Sequence, residues 1–247
     1  MSIELATALA DRYRTKTRMA TPAAAQSLDR AGAFATQAAV AEAIGVGVGG
    51  WKVAMPDGVS TAAPMFDDVI LAGGARWPLR EGGAIVEIEL GVRLTRDLPP
   101  RPGQPYTREE IGAAVGNAMV GVELIASRYD DMPPPKHANA WLADNMGNAA
   151  YVTGDEKPLS SIGDPATLRC RYWADGELKQ DFVGGHPAGD PLMWILAWAN
   201  AQDDRLGGLK AGQVVTTGSL TIPALFEKPT RIEAELDRIG RVSVELA

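Results

Sequence analysis

Alternating hydrophobic positions give the clearest pattern in the middle of this chain. From Ala84 to Leu94 the sequence AIVEIELGVRL places an apolar residue at every second position. Such alternation predicts a β-strand with one face towards a core. The segment VGVELIA and the later runs QVVTTGSL, RIEAEL and RVSVEL are also typical of strands.

The N-terminal end is predicted to be helical instead. Apolar residues recur at helical spacing over residues 3–10, and a second helix is predicted over 31–44. The run GVGVGG, at 45–50, ends that helix because glycine is unfavourable inside helices. A dinucleotide-binding glycine loop follows a strand and opens a helix, which is the reverse order, so this run does not indicate such a site.

Two local motifs predict further helix starts. Thr107 and Glu110 form a capping box, and the helix behind it is predicted to continue through Val115. Asp190 followed by Pro191 is a second start, and the nearly all-apolar stretch LMWILAWAN after it indicates a buried helix. Strands nevertheless dominate, and we predict an α+β fold.

Composition agrees with a globular protein that has a substantial core. The chain has 247 residues, of which 46% are hydrophobic and 22% are charged. We find no internal repeat and no linker. We therefore expect one structural unit, with a helical lead over 1–50 packed on a β-rich catalytic part over 51–247.

Charge and cysteine content exclude several classes of partner. The 31 acidic and 24 basic residues give a formal charge of −7, and no Lys and Arg cluster could neutralise nucleic-acid phosphates. Glu4 and Asp11 interrupt the apolar stretch that a signal peptide needs, and no run of about 18 apolar residues predicts a membrane span. The single cysteine, Cys170, allows neither an intrachain disulfide nor a thiolate zinc site. We expect a cytoplasmic protein.

Glu87 and Glu89 are the sharpest candidates for chemistry. They share the polar face of the 84–94 strand, roughly 7 Å apart at about 3.3 Å per residue. Carboxylates held side by side repel each other unless a cation neutralises them or one takes a proton. Hard divalent ions such as Mg²⁺ prefer oxygen ligands. On pattern alone, a solvated strand face compensated by Arg93 is the more common explanation.

Glu123 and Lys52 are candidates for the same site. Glu123 interrupts an otherwise apolar strand, where a lone carboxylate is unfavourable unless it is paired, exposed or bound to a metal. Lys52 could hold a substrate carboxylate or move a proton if it were buried, although most lysines are solvated. Asp144 and Asn145 form a short polar break that fits either a turn or a pocket wall.

A histidine-based site is not favoured. The chain has 2 histidines, too few for a zinc triad. A hydrolytic triad of His186, Asp190 and Ser219 is also disfavoured, because Ser219 in TGSLT lacks the strand–turn–helix setting of such a nucleophile. We expect His186 to be a loop residue bound by backbone groups.

Several segments taken together resemble a known family. They occur in the order found in the 2-keto-4-pentenoate hydratase family of the fumarylacetoacetate hydrolase superfamily: GWKVA, EIELGVRL, VGVELIASRY, LADNMGNAAYVTG, DPLMWILAWAN and LKAGQVVTTGSLT. The resemblance covers the chain from about Ala33 onwards. It implies a mixed β-roll or sandwich with flanking helices, a homo-oligomer, and a Mg²⁺ or Mn²⁺ cofactor.

The resemblance also implies which residues bind the metal and the substrate. The Glu-x-Glu motif of the family falls on Glu87 and Glu89, and its third metal carboxylate falls on Glu123. The ion would act as a Lewis acid towards a 2-oxo carboxylate and stabilise its enolate.

Five further positions would line the pocket. The motif lysine falls on Lys52, the Asp-Asn pair on Asp144 and Asn145, and the Gly-Ser pair on Gly218 and Ser219. In this scheme Lys52 moves a proton or fixes the carboxylate, and Asp144 positions water. Asn145, Gly218 and Ser219 contact the substrate.

The implied reaction is the addition of water to 2-hydroxypenta-2,4-dienoate or a similar small 2-oxo acid. Family hydratases carry an acidic residue shortly after the lysine motif, where this chain has Thr61, Ala62 and Ala63. The missing acidic residue affects the expected hydration reaction, but it does not affect the expected metal binding. A 2-oxo acid decarboxylase of the 4-oxalocrotonate type, a C–C bond hydrolase, and a non-catalytic partner of an active relative therefore stay open as alternatives.

Overall fold

Strands make up most of the regular structure in the computed structural model, which describes residues 3–131, 137–203 and 205–247. The helices are α1 (Ile3–Thr15), α2 (Ala23–Gln26), α3 (Arg30–Ile44), α4 (Arg108–Ala114), α5 (Ala138–Ala143) and α6 (Leu192–Ala201). The strands are β1 (Val48–Ala54), β2 (Thr61–Phe66), β3 (Ile70–Ala72), β4 (Ala75–Trp77), β5 (Ala84–Leu94), β6 (Val115–Ile125), β7 (Asn148–Pro158), β8 (Arg169–Ala174), β9 (Glu177–Val183), β10 (Val214–Ser219), β11 (Ala224–Phe226), β12 (Thr230–Leu236) and β13 (Gly240–Leu246).

The strands form two sheets that share an apolar core. The larger sheet has the order β2-β1-β10-β5-β6-β7-β3, with β11 beside β5, and the smaller has the order β4-β13-β12-β8-β9. Even-numbered residues of β5 and β6, such as Ile88 and Val122, belong to the same core as Tyr172, Ile232 and Val244 of the smaller sheet. This arrangement confirms the α+β fold, a mixed β-sandwich with flanking helices, that the sequence predicts.

Helices pack against β2, β1 and β10 of the larger sheet. α3 and α5 meet β2 through a small cluster that includes Ala33, Ala63 and Leu142. α4 and α6 pack with Trp51 of β1 and Val215 of β10. Of the helices in the described ranges, none is long and apolar enough to cross a membrane.

The N-terminal lead contains α1, α2 and α3, and the first strand begins inside it at Val48. The carboxylate of Asp29 caps α3 by accepting a hydrogen bond of 2.7 Å from the backbone N–H of Gly32. Gly50 lies in β1 where a Cβ atom would approach the carbonyl oxygen of Val214 to 2.3 Å. The glycine run therefore allows β1 to lie against β10, while the division into 1–50 and 51–247 stays a prediction.

The predicted end of the fourth helix is wrong. The capping box of Thr107 and Glu110 is present, but α4 ends at Ala114 and does not continue through Val115. Val115 is the first residue of β6 and pairs with Leu94 of β5. The pairing with β5 buries this stretch in the sheet, and tertiary packing of this kind overrides helix propensity.

Candidate metal centre and active site

Glu87, Glu89 and Glu123 come together on one face of the larger sheet. In the antiparallel pairing of β5 with β6, Glu87 lies opposite Glu123 and Glu89 lies opposite Gly121. Directly opposed residues share a face of the sheet, as do residues two apart in one strand. One carboxylate oxygen from each glutamate lies within 4.8 Å of the others. We call these three residues the carboxylate cluster.

The carboxylate cluster is largely removed from solvent. Glu89 is 1% exposed and Glu123 is 0% exposed, whereas Glu87 is half-buried. A solvated strand face is therefore the wrong description of Glu89 and Glu123. Carboxylates in such surroundings need a compensating charge or hydrogen bonds.

Burial and mutual repulsion both act on these carboxyl groups. Burial raises the pKa of Glu89 well above its usual range, and the neighbouring Glu123 and Glu87 raise it further, while Lys52 opposes them. The pKa of Glu87 is also raised, chiefly by burial, with Lys52 lowering and Glu123 raising it. An excess of carboxylates over cations favours the binding of a further cation.

Lys52 is buried in this site and is not a solvated lysine. Its exposure is 8%, and its Nζ lies 3.1 Å from Glu123 Oε2. Nζ also donates a hydrogen bond of 3.4 Å to the carbonyl oxygen of Met146. Burial lowers the pKa of Lys52, but the carboxylate cluster more than offsets this and the pKa is raised. Lys52 is thus a cation held against the cluster.

Asn148 is a site residue that the sequence pattern does not reveal. Its Nδ2 donates a hydrogen bond of 2.9 Å to Glu123 Oε1, and the side chain is 4% exposed. The one signal in the sequence is a polar residue just before an apolar strand, which is equally typical of a turn. Asn148 orients the glutamate whose other oxygen faces Lys52.

A cavity of about 730 Å³ lies beside the carboxylate cluster. Its walls include five of the residues that the resemblance assigns to the site, Lys52, Glu87, Glu89, Gly218 and Ser219, and one further charged residue, Arg30. Much of the remaining wall is apolar, with Ile85, Ile125, Trp141, Leu142 and Trp194. An apolar cavity with a few convergent polar groups is the usual form of a small-molecule site. A more open groove of about 870 Å³ elsewhere is lined by Thr153, Glu233 and Arg241 among others, and its described residues do not include such a group of three carboxylates.

Gly218 shapes the wall next to Glu89. Its φ is 100°, and a Cβ atom there would lie 2.3 Å from the ring of Trp194. Glycine is therefore required both by the backbone and by the close approach of the indole. The adjacent Ser219 is paired with Glu89 across β10 and β5, and its Oγ donates a hydrogen bond of 2.9 Å to the carbonyl oxygen of Thr221.

The structure does not bring the carboxylate of Asp144 into the cavity wall. Ser127 Oγ and the backbone N–H of Arg128 donate to Asp144 Oδ2 at 2.8 and 2.9 Å, and Arg128 Nε donates to Oδ1. Burial raises the pKa of Asp144, and the ion pair with Arg128 opposes that rise. The neighbouring Asn145 is also buried and is likewise absent from the cavity wall among the described residues.

The Arg128–Asp144 pair fixes the conformation of the turn over residues 144–148, which lies beside the site. Arg128 also donates hydrogen bonds to the carbonyl oxygens of Asp144 and Asn148. Asn145 and Met146 lie between these two anchors with φ values of 52° and 49°. Asparagine adopts such a positive φ readily, but it is unfavourable for Met146 and persists there because the surroundings fix it. The fixed turn presents the carbonyl of Met146 to Lys52 and the side chain of Asn148 to Glu123.

A hydrolytic triad is not assembled. His186 Nε2 is hydrogen-bonded to the carbonyl oxygen of Thr217, and its Nδ1 accepts a hydrogen bond of 3.1 Å from the backbone N–H of Ala188. Asp190 instead accepts hydrogen bonds from Arg108. These contacts confirm that His186 is a loop residue bound by backbone groups.

The residues of the carboxylate cluster fit a divalent metal ion. All three side chains offer oxygen, which is the ligand that Mg²⁺ and Mn²⁺ prefer. Glu89 Oε2 is buried and has no hydrogen-bond partner among the described residues. A buried carboxylate oxygen without a partner is unfavourable, and a bound cation would compensate it.

A family model described as "Fumarylacetoacetate (FAA) hydrolase C-terminal" matches residues 48–247. Among curated proteins, the chain is 29% identical over 158 residues to a 2-keto-4-pentenoate hydratase of Burkholderia vietnamiensis, which covers 64% of this chain and 58% of that protein. It is 27% identical over 134 residues to a 4-oxalocrotonate decarboxylase of Pseudomonas putida, covering 54% and 50%. The chain therefore matches about half to three fifths of the length of these relatives.

Solved structures share the fold, one of them over the whole chain. The 4-oxalocrotonate decarboxylase from Pseudomonas putida G7, complexed with magnesium and adipate, matches with a TM-score of 0.84 at 22% identity. That match covers 100% of this chain and 99% of the other. A fumarylpyruvate hydrolase from Pseudomonas aeruginosa, in complex with Mn²⁺ and pyruvate, matches with a TM-score of 0.55 at 18% identity, covering 76% and 78%. At these identities the likeness shows the fold alone.

Proposed function

The chain belongs to the fumarylacetoacetate hydrolase C-terminal family, and from that premise we propose that it is a metal-dependent hydratase of a small 2-oxo acid such as 2-hydroxypenta-2,4-dienoate. The family membership confirms the superfamily resemblance and the fold type that the sequence predicts. The observation that supports the proposed activity is the carboxylate cluster, which lies with a buried lysine beside an apolar cavity.

The carboxylate cluster would hold Mg²⁺ or Mn²⁺. When bound, the ion supplies a Lewis acid that stabilises negative charge developing on the 2-oxygen of the substrate. Asn148 keeps Glu123 oriented for this task through its hydrogen bond to Oε1. A hydrogen bond of this kind to a ligating carboxylate fixes its geometry and tunes its affinity.

Lys52 would bind the substrate carboxylate or transfer a proton. An ammonium group has three donor hydrogens, and the contacts with Glu123 and Met146 use two of them. Because Lys52 also lines the cavity, its remaining hydrogen can face a bound ligand. Gly218 and Ser219 would contact the same ligand from the wall next to Glu89.

Asp144 and Asn145 would act less directly. The resemblance implies that Asp144 positions water, whereas its contacts with Ser127 and Arg128 support a role in positioning the 144–148 turn. Asn145 lies in that turn, and its Oδ1 is buried without a hydrogen-bond partner among the described residues.

A decarboxylase of the 4-oxalocrotonate type is the second candidate. Thr61 lines the cavity in the stretch where the resemblance implies an acidic residue, so a proton-transfer group suited to hydration is missing there. Decarboxylation needs stabilisation of the resulting enolate and not that acid. A C–C bond hydrolase would use the same stabilisation.

Product analysis would decide between these functions. The purified protein is assayed with Mg²⁺, with Mn²⁺ and with a chelator, against 2-hydroxypenta-2,4-dienoate and 4-oxalocrotonate. Formation of 4-hydroxy-2-oxopentanoate supports the hydratase, and release of CO₂ supports the decarboxylase. Glu89→Gln should abolish either activity, and Glu177→Gln on exposed β9 is the matched control. Activity that survives the chelator or Glu89→Gln contradicts the proposal.

Two remaining expectations are tested with the same material. Absence of both turnover and Mg²⁺ binding would favour a non-catalytic partner of an active relative. We also propose a homo-oligomer, and light scattering that gives the mass of a single chain would contradict it.

A further inference from the structure

Arg30 places a second positive charge in the wall of the cavity. It is the first residue of α3, is half-buried, and lines the same cavity as Glu87 and Glu89. Lys52 is the cation that acts on the pKa of both glutamates. Lys52, and not Arg30, forms the ion pair with the carboxylate cluster.

The register of β1 and β2 places Arg30 beyond Lys52 along the cavity. Lys52 is paired with Ala63, and Ala54 is paired with Thr61. Thr61 is thus two residues further along the sheet on the same face, about 7 Å at the usual rise of a strand. Arg30 Nη1 donates a hydrogen bond of 2.9 Å to Thr61 Oγ1, which fixes the guanidinium at that end.

The contacts of Arg30 leave its charge uncompensated. Its hydrogen bonds go to two neutral oxygens, Thr61 Oγ1 and the carbonyl of Ser60. Its guanidinium carbon lies 4.7 Å from the centre of the Phe34 ring. No ion pair joins it to an acidic residue within the described part of the chain. A guanidinium has five donor hydrogens in a planar fork, so donors remain for a ligand.

We propose that Arg30 binds a distal carboxylate, so that the preferred substrate of this site is a short 2-oxo dicarboxylate. The inference rests on the proposed function, which places the first carboxylate and the 2-oxygen at the carboxylate cluster. Among small 2-oxo acids, it ranks a dicarboxylate above the monocarboxylate 2-hydroxypenta-2,4-dienoate. The carbon chain would then run past Ala54 and Leu142, which line the same cavity. A planar guanidinium matches a carboxylate with two parallel hydrogen bonds. A monocarboxylate would leave Arg30 facing an apolar chain end without a counter-charge.

A pair of ligands of equal chain length tests this proposal. Isothermal titration calorimetry would compare 2-oxoadipate, which has the distal carboxylate, with 2-oxohexanoate, which lacks it, on the Mg²⁺-loaded protein. We expect the dicarboxylate to bind about tenfold to a hundredfold more tightly, as is typical of a hydrogen-bonded ion pair. Arg30→Gln should remove this preference without weakening the monocarboxylate. Arg30→Lys should keep part of it, because the charge remains but the fork is lost.

The controls separate this proposal from the proposed function. Arg76→Gln, on exposed β4 outside the cavity, should change neither affinity, and thermal melting checks that each variant is folded. Equal affinity of wild type for both acids, or a preference that survives Arg30→Gln, overturns the role of Arg30 while the proposed function stands. Failure of both acids to bind in the presence of Mg²⁺ contradicts the proposed function as well. If Arg30→Gln does not fold, the wild-type preference and Arg30→Lys still decide the question.

Discussion

Two groups of buried charges lie around the 144–148 turn, and they differ in how completely they are paired. In the Arg128–Asp144 pair, one cation meets one carboxylate and both carboxylate oxygens accept hydrogen bonds. In the carboxylate cluster, Lys52 forms an ion pair with one glutamate, and Glu89 Oε2 has no hydrogen-bond partner within the described residues.

This difference separates a structural ion pair from a binding site. Glu89 and Glu123 are as buried as Arg128 and Asp144, so burial alone does not identify function. A buried ion pair whose donors and acceptors all have partners does not require an additional ligand. In a buried cluster with more carboxylates than cations, the carboxylates repel each other unless another cation binds. Each of the following experiments tests one side of this comparison.

The largest effect is expected from Lys52→Met. Activity should fall about 100-fold to 10,000-fold, the usual contribution of a proton-transfer group. Mg²⁺ affinity should be unchanged or higher, because a cation beside the carboxylate cluster has been removed. Steady-state kinetics and calorimetry measure the two effects, with the exposed Lys179→Met as control. Loss of Mg²⁺ binding would show that Lys52 helps to assemble the metal site.

Arg128→Met should destabilise the protein by about 3–5 kcal/mol, because it leaves the buried carboxylate of Asp144 without its cation. The free energy of unfolding in urea measures this loss. The double variant Arg128→Met/Asp144→Leu should recover part of it, since no buried charge is then left alone. A loss below about 1 kcal/mol would put the pair in the range of exposed salt bridges and contradict the comparison.

Asn148→Ala should weaken Mg²⁺ binding by about 10-fold to 100-fold, the usual effect of removing a residue that orients a metal ligand. Asn117→Ala is a matched control, because Asn117 Nδ2 donates to Glu156 outside the cavity. Titration with Mn²⁺ followed by electron paramagnetic resonance gives both affinities. Equal affinities in the two variants would show that Asn148 does not orient Glu123.

The smallest effect concerns the stability of the metal-free protein. Burial raises the pKa of Glu89, so the folded protein binds more protons than the unfolded chain above the ordinary pKa of glutamate. Stability should therefore fall as pH rises from that ordinary value towards the raised one. Glu89→Gln should reduce this fall and raise the Tm near neutral pH by roughly 2–4 °C, which corresponds to about 1 kcal/mol. A lower Tm than wild type would contradict repulsion within the carboxylate cluster.

The sequence by itself determined the faces of the central strands. The period-two pattern of β5 assigns its apolar residues to the core and Glu87 and Glu89 to the opposite face, and the packing confirms this. The capping box of α4 could also be predicted from the sequence, because it depends on residues three apart in the chain. Such local patterns do not predict where a helix ends and the next strand begins, as the end of α4 shows.

The tertiary structure alone decided how these faces meet. Alternation fixes which side of a strand is buried but not which strand is its neighbour or in which register. The pairing of β5 with β6 puts Glu123 opposite Glu87, and the place of β1 in the sheet brings Lys52 to them. Asn148 and Arg30 join the site through contacts between residues far apart in sequence, and no local pattern contains such contacts.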